Sequence, residues 1–415
     1  VKLDGSSIFA GGTGTAADPY QIANETQLAA FRDSVNAGYT YAGEYVKLTA
    51  NITLNDVFVP IREFSGVFDG GGHTISGYEA PVYGSQQDYE AAGNLAYDTT
   101  RLFTGFFTNL NGGTVKNLIF ADYTIPSSPV SNLTQDETKK NGVLNPAHIY
   151  VSVAVGMMQN GATLEQVTVE AGTVQSQVRA AGLVAYVKNS GGSQLVNSIV
   201  GCVNKANVST TRLNDTYGTA AGILSTTGSG AFRIVDCSNE GTITGYVAGG
   251  IAGDIQQNGS VIEGCANSGA INGKAFAGGI LGNYWYSAGG TITACVNTGA
   301  VQSSQTQAGQ TGDVWKDVCV GGILGAYIGN NSTAADITDC RNEGTVKHEA
   351  AGAEAHVGGI LGFSAPGHLT MTDCVNTGAV TNLYYADSTA DADAKPFRTG
   401  GVVGDLRGGY NTLTD

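Results

Sequence analysis

The chain has 415 residues, of which 61 are glycine and only 13% are charged, and its formal net charge is −15. An average protein has about 7% Gly and about 25% charged residues, so this composition predicts many turns. An acidic surface repels phosphate, which argues against nucleic acid and anionic membranes as partners. No run of about 18 apolar residues occurs, so the sequence predicts no transmembrane segment.

The first 63 residues are predicted to form an N-terminal cap that contains one helix, at about residues 25–37, plus strands. Asn24 is a good N-cap, and Gln27 is placed to complete a capping box. Gly38 is expected to end the helix. The apolar face of this helix consists of Leu28, Phe31 and Val35. Such a helix would cover the open end of a repeat array, where a strand edge is otherwise unpaired.

One phrase recurs along residues 64–415, marked by a cysteine that is followed two residues later by an asparagine. The cysteines are Cys202, Cys237, Cys265, Cys295, Cys340 and Cys374. The asparagines are Asn204, Asn239, Asn267, Asn297, Asn342 and Asn376. An apolar residue precedes each cysteine by three positions, and a Gly pair lies further upstream. The basic spacing is 28 or 29 residues, with insertions, which is typical of a solenoid.

The content of each repeat predicts an all-β fold, a right-handed parallel β-helix of about nine to ten coils over residues 64–415. Short β-branched runs between Gly and Asn turns indicate strands, and no segment shows ten residues of helical periodicity. The handedness follows from the right-handed rule for parallel crossovers.

The cysteine column is interpreted as structural, a stack of small core side chains. Leu118 and Val167 align with it in earlier, degenerate coils, and a buried free Cys behaves as a small hydrophobe. Disulfides between coils are an alternative, although parallel Cβ vectors are unfavourable for bridging. A metal or nucleophile role is a weaker alternative, because no His recurs beside the column. Cys319 is out of register and is interpreted as incidental.

The asparagine column is predicted to lie at a turn of left-handed or bridge geometry, which Asn tolerates. Stacked Asn side chains are expected to hydrogen-bond along the rod. Asp236, Asp339 and Asp373 each precede a cysteine. Because these carboxylates repeat, we interpret them as a turn device or a solvated column rather than as a calcium-dependent catalytic site.

The phrases "GGILG…ITDCRNEGTV" and "GGILG…MTDCVNTGAV" resemble the GLUG motif, named for its Gly-Leu-apolar-Gly core. The N-terminal phrase "GGTGTAADPYQIANETQLAAFRDSVNAG" is similar to the segment that precedes such repeats. The resemblance covers roughly residues 11–78 and 149–415. It implies a bacterial surface protein, since the motif recurs in adhesin-like proteins and in regions attached to some immunoglobulin-cleaving metallopeptidases. The HExxH zinc motif of such peptidases does not occur in this sequence.

The two ends of the sequence lead to different expectations. The first residues lack the basic and apolar regions of a signal peptide, so the protein is either cytosolic or a processed or trimmed form. The last residue, Asp415, stands where the repeat would be followed by a cysteine. We therefore expect the native chain to continue beyond residue 415, and any lipid anchor to be attached through residues before Val1.

The candidate binding residues are aromatic. Five insertions, at about residues 126–148, 209–218, 302–318, 347–356 and 381–398, fall at one point of the repeat and are predicted to project from one edge of the rod. Those insertions carry Tyr217, Trp315, Tyr384 and Tyr385. A second aromatic group follows the Gly pairs of several coils and consists of Tyr186, Tyr284, Trp285, Tyr286, Tyr327 and Phe363, of which Tyr284, Trp285 and Tyr286 are the candidate binding residues. Both groups could contact glycans or proteins; the alternatives are cover for edge strands and packing ladders.

No nucleophile elbow, P-loop or metal-ligating histidine pair is evident, so the sequence predicts no enzyme, no metal site and no cofactor. The expected function is that of a secreted or cell-surface bacterial binding protein, adhesin-like, whose partners are host or matrix glycans or proteins. The alternatives are a β-helix polysaccharide lyase or glycoside hydrolase, and a structural spacer for another domain.

Overall fold

The computed structural model describes most of the chain. The described residues are 8–93, 101–131, 148–189, 195–214, 216–285, 289–304, 317–329, 332–350, 355–365, 367–382, 398–407 and 410–414. No helix within these ranges is long and apolar enough to cross a membrane.

The described strands form three sheets of parallel neighbours, which we call sheets 1, 2 and 3. Sheet 1 contains Tyr20–Ile22, Tyr45–Leu48, Ile52–Thr53, Val67–Asp69, Thr74–Ser76, Thr114–Ala121, Thr163–Val169, Asn197–Val200, Val203–Asn204, Phe232–Val235, Ser238–Asn239, Asn258–Glu263, Ala266–Asn267, Gly289–Thr293, Val296–Asn297, Ala334–Thr338, Arg341–Asn342, His368–Thr372, Val375–Asn376 and Tyr410–Thr414. Sheet 2 contains Leu102–Thr104, Ile149–Val151, Thr173–Ser176, Arg179–Ala181, Asn207–Thr210, Thr219–Ala221, Ile243–Gly249, Ile271–Gly278, Val301–Ser303, Val318–Gly321, Val346–His348, Ala355–Gly358, Val380–Asn382 and Arg398–Gly400. Sheet 3 contains Ile61–Phe64, Phe107–Asn111, Val155–Gln159, Val184–Val187, Leu224–Thr227, Ala252–Ile255, Leu281–Trp285, Leu324–Ile328, Leu361–Ser364 and Val403–Leu406.

From Leu102 onward each coil visits the three sheets in turn, so the fold is the parallel β-helix that the repeat predicts. One coil runs through Ile271–Gly278 in sheet 2, Leu281–Trp285 in sheet 3, and Gly289–Thr293 and Val296–Asn297 in sheet 1. The next coil begins at Val301, which pairs with Ile271. The alignment of the degenerate coils is also confirmed, because Val167 pairs with Leu118.

The interior of the rod is one continuous apolar cluster. The residues that precede each cysteine by three positions are almost fully buried there. Side chains alternate across each strand, so every second residue fills the interior and its neighbours face outward. Full burial of one Ile or Val contributes about 1.5–3 kcal/mol, which offsets the cost of ordering so many glycines.

The N-terminal helix spans Glu25–Asn36 and has the predicted N-cap at Asn24, whereas Gln27 reaches back to the residue before the cap rather than to Asn24 itself. The backbone N–H of Gln27 donates to Asn24 Oδ1 at 3.0 Å, and the backbone N–H of Ala23 donates to Gln27 Oε1 at 2.7 Å. Phe31 is buried against Phe68, with ring centroids 5.7 Å apart. The strands that accompany the helix are the first strands of sheet 1, since Tyr20–Ile22 pairs with Tyr45–Leu48. Tyr45–Leu48 pairs in turn with Val67–Asp69, so sheet 1 continues across residue 63.

A second helix, Gln86–Ala91, is absent from the sequence prediction. The hydroxyl of Ser85 caps it by accepting the backbone N–H of Asp88 at 3.1 Å. Tyr89 anchors the helix, because its buried hydroxyl donates to the carbonyl of Phe103 at 3.0 Å. The helix occupies the long connection before the first strand of sheet 2.

The asparagine column forms a continuous hydrogen-bonded ladder inside the rod. Each amide nitrogen donates to the side-chain oxygen of the asparagine in the next coil at 2.7 Å, through all five steps from Asn204 to Asn376. The same nitrogen also donates to the carbonyl two residues ahead, at 2.9 Å in Asn267. A buried amide that is satisfied in this way costs little and fixes the register of neighbouring coils.

The prediction that these asparagines adopt a left-handed turn is wrong. They lie in two-residue strands of sheet 1, and the left-handed conformation occurs three residues earlier, directly before each cysteine. The residues with positive φ are Gly201, Asp236, Gly264, Ala294, Asp339 and Asp373. The sheet turns at that residue, so the repeated aspartates are a turn device, one of the two roles considered for them.

Candidate ligand-binding groove

The outer surface of the rod is concave where sheet 2 meets sheet 3. Strand Arg179–Ala181 ends sheet 2, and Val184–Val187 begins sheet 3 after only two residues. Gly182 occupies this bend because a Cβ there would overlap the side chain of Asn204. Leu183 points into the core. The outward side chains on either side of the bend are therefore brought together, as the 4.9 Å separation of the Tyr150 and Tyr186 ring centroids shows.

Two outward columns of side chains form the walls of this corner, and the strand registers define them. The sheet 2 column is Phe103, Tyr150, Arg179, Thr219, Val247, Phe276, Cys319, His356 and Arg398. The sheet 3 column is Asn109, Met157, Tyr186, Thr226, Asp254, Asn283, Ala326, Phe363 and Asp405. Both columns are polar near the middle and charged at their last members, Arg398 and Asp405, with apolar residues such as Phe276, Cys319 and Ala326 between.

The polar middle of the corner opens into a groove with a volume of about 420 Å³, which we call the arginine–tyrosine groove. Its lining residues are Arg101, His148, Tyr150, Arg179, Tyr186, Thr216, Tyr217, Thr226, Thr227, Asp254, Gln256 and Trp285. These residues come from six successive coils, so the groove extends roughly 24 Å along the rod at about 4.8 Å per coil. Its lining is dominated by hydrogen-bonding groups.

The two lining arginines are held by tyrosines. Arg179 is almost completely buried, and its Nη1 donates to the Tyr150 hydroxyl at 3.3 Å. Its guanidinium lies over the rings of Tyr150 and Tyr217, at 5.0 and 5.1 Å from their centroids. Arg101 Nη1 donates to the Tyr186 hydroxyl at 3.2 Å and lies 5.3 Å from that ring's centroid. Cation–π contacts of this kind help to orient each guanidinium.

Asp254 is the carboxylate among the described lining residues. Burial raises its pKa to about 6, against the lowering effects of hydrogen bonds from Gln256 and Asn283 and of the positive charge of Arg179. Gln256 Nε2 donates to Asp254 Oδ2 at 2.6 Å, and Asn283 Nδ2 donates to Oδ1 at 3.3 Å. The groove therefore becomes more negative as the pH rises through about 6.

The structure places the predicted aromatic binding residues in different environments. Tyr217 and Trp285 both line the groove, and the side chain of Tyr217 is 42% exposed. Tyr284 is fully buried, and its hydroxyl lies 2.8 Å from Ser260 Oγ. Its prediction as a ligand contact is wrong, because alternation along the strand turns it inward while Trp285 faces out. Trp315, Tyr384, Tyr385 and Tyr286 lie outside the described residues.

Sequence reasoning missed the residues that define the groove, namely Arg101, Tyr150, Arg179 and Asp254. In the sequence, these residues stand out because they depart from the residue types of the repeat. Tyr150 and Arg179 occupy the outward position that is Val247 or Phe276 in later coils. Asp254 is the fourth residue after Gly250, a position at which other coils have Thr226 or Ala326.

The six cysteines of the cysteine column are free thiols that face the core. Cys374, the last of them, is partly exposed. Hydrogen bonding to Cys295 raises the pKa of the Cys340 thiol to about 12, and burial adds to this effect. Burial raises the pKa of Cys237 well above its usual value. A protonated buried thiol is a poor nucleophile and a poor metal ligand, so this geometry suits packing.

A charged cluster lies at the C-terminal end of the same corner. His356 is completely buried, with Nε2 at 3.3 Å from Asp317 Oδ2 and Nδ1 at 3.3 Å from Asp405 Oδ2. Arg398 and Arg407 each lie 2.7 Å from Asp405. Two guanidiniums thus compensate two carboxylates around one imidazole. Cys319, interpreted as incidental, is buried beside this cluster and pairs in register with His356.

Comparison with known proteins assigns no family to this chain. The chain matches no protein-family model and no curated protein. It is similar to a solved structure described as a "putative immunoglobulin A1 protease" from Bacteroides ovatus, with 17% sequence identity and a TM-score of 0.30. That match covers 98% of this chain and 79% of the other. A TM-score this low leaves the fold to be argued from the sheets and their registers.

Proposed function

We propose that this protein is a secreted or cell-surface binding protein, adhesin-like and without catalytic activity, that holds a carbohydrate in the arginine–tyrosine groove. The observation that carries the proposal is the groove itself. It is elongated, open and lined by hydroxyl, amide and guanidinium groups from six coils. A linear ligand rich in hydroxyl groups fits such a lining better than a compact apolar one.

The rigidity of the scaffold supports this role. Most side chains that line the groove project from strands whose register is fixed by parallel pairing on both sides, and the asparagine ladder adds to this from Asn204 onward. Sites built on strands are held more precisely than sites on loops, and a preorganised site loses less free energy on binding. The lining residues outside the strands are Arg101, His148, Thr216, Tyr217 and Gln256.

The main competing proposal is an enzyme acting on the same class of ligand. A glycoside hydrolase ordinarily uses two carboxyl groups that flank the scissile bond. Asp254 is the one carboxylate among the described residues that line the groove. A lyase remains the better enzyme alternative, since His148 and Tyr150 lie in the groove with Arg179 and could serve as base and charge neutraliser. The spacer alternative predicts no ligand at all.

A glycan array followed by calorimetry tests the proposal. We expect the purified chain to retain a subset of glycans, and Trp285→Ala to weaken their binding several-fold through loss of one wall of the groove. Tyr45→Ala, on the outer face of sheet 1, is the matched control and should bind normally. Turnover of any retained glycan, with or without Ca²⁺, would replace the proposal by the lyase alternative. Absence of retention would favour the spacer.

A further inference from the structure

We infer that the arginine–tyrosine groove selects acidic sugars, with a ligand carboxylate held at Arg101 and Arg179. This inference rests on the proposed function and names its ligand class. The relevant chemistry is a carboxylate attached to a pyranose ring, as in uronates or in nonulosonates such as sialic acid. Four observations support it.

The first is the use of the tyrosine rings. Tyr217 lies between two guanidiniums, with Arg179 at 5.1 Å and Arg212 at 5.4 Å from its centroid. Tyr186 has Arg101 over its ring and makes a tilted contact with Tyr150, with centroids 4.9 Å apart. A ring face that an arginine covers cannot also stack on a neutral sugar. The tyrosine side of the groove therefore recognises its ligand mainly by charge and hydrogen bonding.

The second observation is the charge of the groove. Its described lining carries two guanidiniums and one carboxylate, and burial raises the pKa of that carboxylate, Asp254, to about 6. The chain as a whole has a net charge of −15. The positive balance of the described lining, on a chain that is acidic overall, attracts an acidic ligand to this part of the surface.

The third observation is the geometry of the two cations. Arg101 and Arg179 are anchored to the hydroxyls of Tyr186 and Tyr150, and these two tyrosines contact each other. One tyrosine pair therefore positions both guanidiniums before any ligand arrives. A planar guanidinium fixed in this way forms paired hydrogen bonds to a carboxylate, which a lysine ammonium cannot reproduce.

The fourth observation is an unsatisfied hydroxyl. Thr226 is only 2% exposed, lines the groove, and its Oγ1 makes no hydrogen bond within the described part of the chain. A buried hydroxyl without a partner is costly, and a sugar hydroxyl in the groove would satisfy it. Thr226 stands in register between Tyr186 and Asp254, so it lies beside the inferred carboxylate position.

The test compares ligands that differ only in charge. Calorimetry would use oligogalacturonate and sialyllactose, each against its own methyl ester, which separates the two sources of a sugar carboxylate. We expect one acidic member to bind roughly 10- to 100-fold more tightly than its neutral counterpart. Arg101→Gln and Arg179→Lys should each remove most of that difference. Arg233→Gln is the charge-matched control, because Arg233 is exposed on sheet 1.

The outcomes distinguish this inference from the proposed carbohydrate-binding function on which it rests. Equal binding of acidic and neutral members overturns the selection for acidic sugars and leaves the carbohydrate-binding function in place. Failure of every saccharide to bind overturns both. Binding of an acidic peptide but of no acidic sugar would also overturn the inference. Thermal unfolding of each variant guards against misfolding, and Thr226→Val, which removes only a hydroxyl, gives a second variant with an expected loss of affinity.

Discussion

Replacement of a single ladder asparagine should destabilise the rod more than replacement of any one cysteine. Asn267→Ala removes three hydrogen bonds at once. Asn239 loses its acceptor at 2.7 Å, Asn297 loses its donor at 2.7 Å, and the carbonyl of Gly269 loses its donor at 2.9 Å. Each buried polar atom left without a partner costs about 1–3 kcal/mol. We therefore expect a loss of about 3–6 kcal/mol in the free energy of unfolding.

The matched control is Asn376→Ala, at the last step of the same ladder. Asn376 is only partly buried, so water can replace the bonds that it makes to Asn342 and Gly401. Its replacement should cost about 1–2 kcal/mol. Urea unfolding followed by circular dichroism measures both values, and hydrogen exchange locates the loss, because solenoids need not unfold in two states. Equal effects of the two substitutions would refute the ladder as a source of stability.

Three further predictions concern other parts of the rod. Burial raises the pKa of Asp254 from 3.8 to about 6, so the protein loses stability from this group as the pH rises from about 4 to about 6. The free energy of unfolding of Asp254→Asn, taken relative to the parent protein, should therefore rise by about 3 kcal/mol between pH 4 and pH 7. Thermal unfolding at both pH values measures this difference. A difference that stays constant with pH would contradict the buried carboxylate. All seven cysteines should react as free thiols in denaturant. In the folded protein only Cys374 should react at an appreciable rate, because it alone is partly exposed. Rapid modification of several thiols in the folded protein would contradict the buried cysteine column. Gly359→Ala should destabilise the rod by about 1–3 kcal/mol through overlap with the carbonyl of Gly401, whereas Gly401→Ala, at the same repeat position with open space around it, should be neutral by urea unfolding.

The sequence was informative wherever the repeat is regular. The columns of Cys, Asn and apolar residues each occupy one position per coil, and the strand registers place them as the alignment predicts. The same holds for the N-terminal helix, whose cap is encoded within four residues. These features depend on local patterns and on a fixed period, so they can be read from one sequence.

The groove could not be predicted in the same way. Arg101, Tyr150, Arg179 and Asp254 come from separate coils, and irregular insertions lie between them. The alignment places them in two outward columns, but only the bend at Gly182 brings those columns face to face. The left-handed residue before each cysteine was misplaced for a related reason. Asn, Asp and Gly all tolerate that conformation, so composition alone does not say which position turns.

The groove as a binding site is the central claim, and the structure of a complex tests it most directly. The chain would be crystallised with the tightest-binding acidic oligosaccharide from the calorimetric series. We predict electron density along the corner between sheets 2 and 3, with the ligand carboxylate within hydrogen-bonding distance of Arg179 and a sugar hydroxyl at Thr226. Density on the insertions alone, with the arginine–tyrosine groove holding only water, would contradict the account.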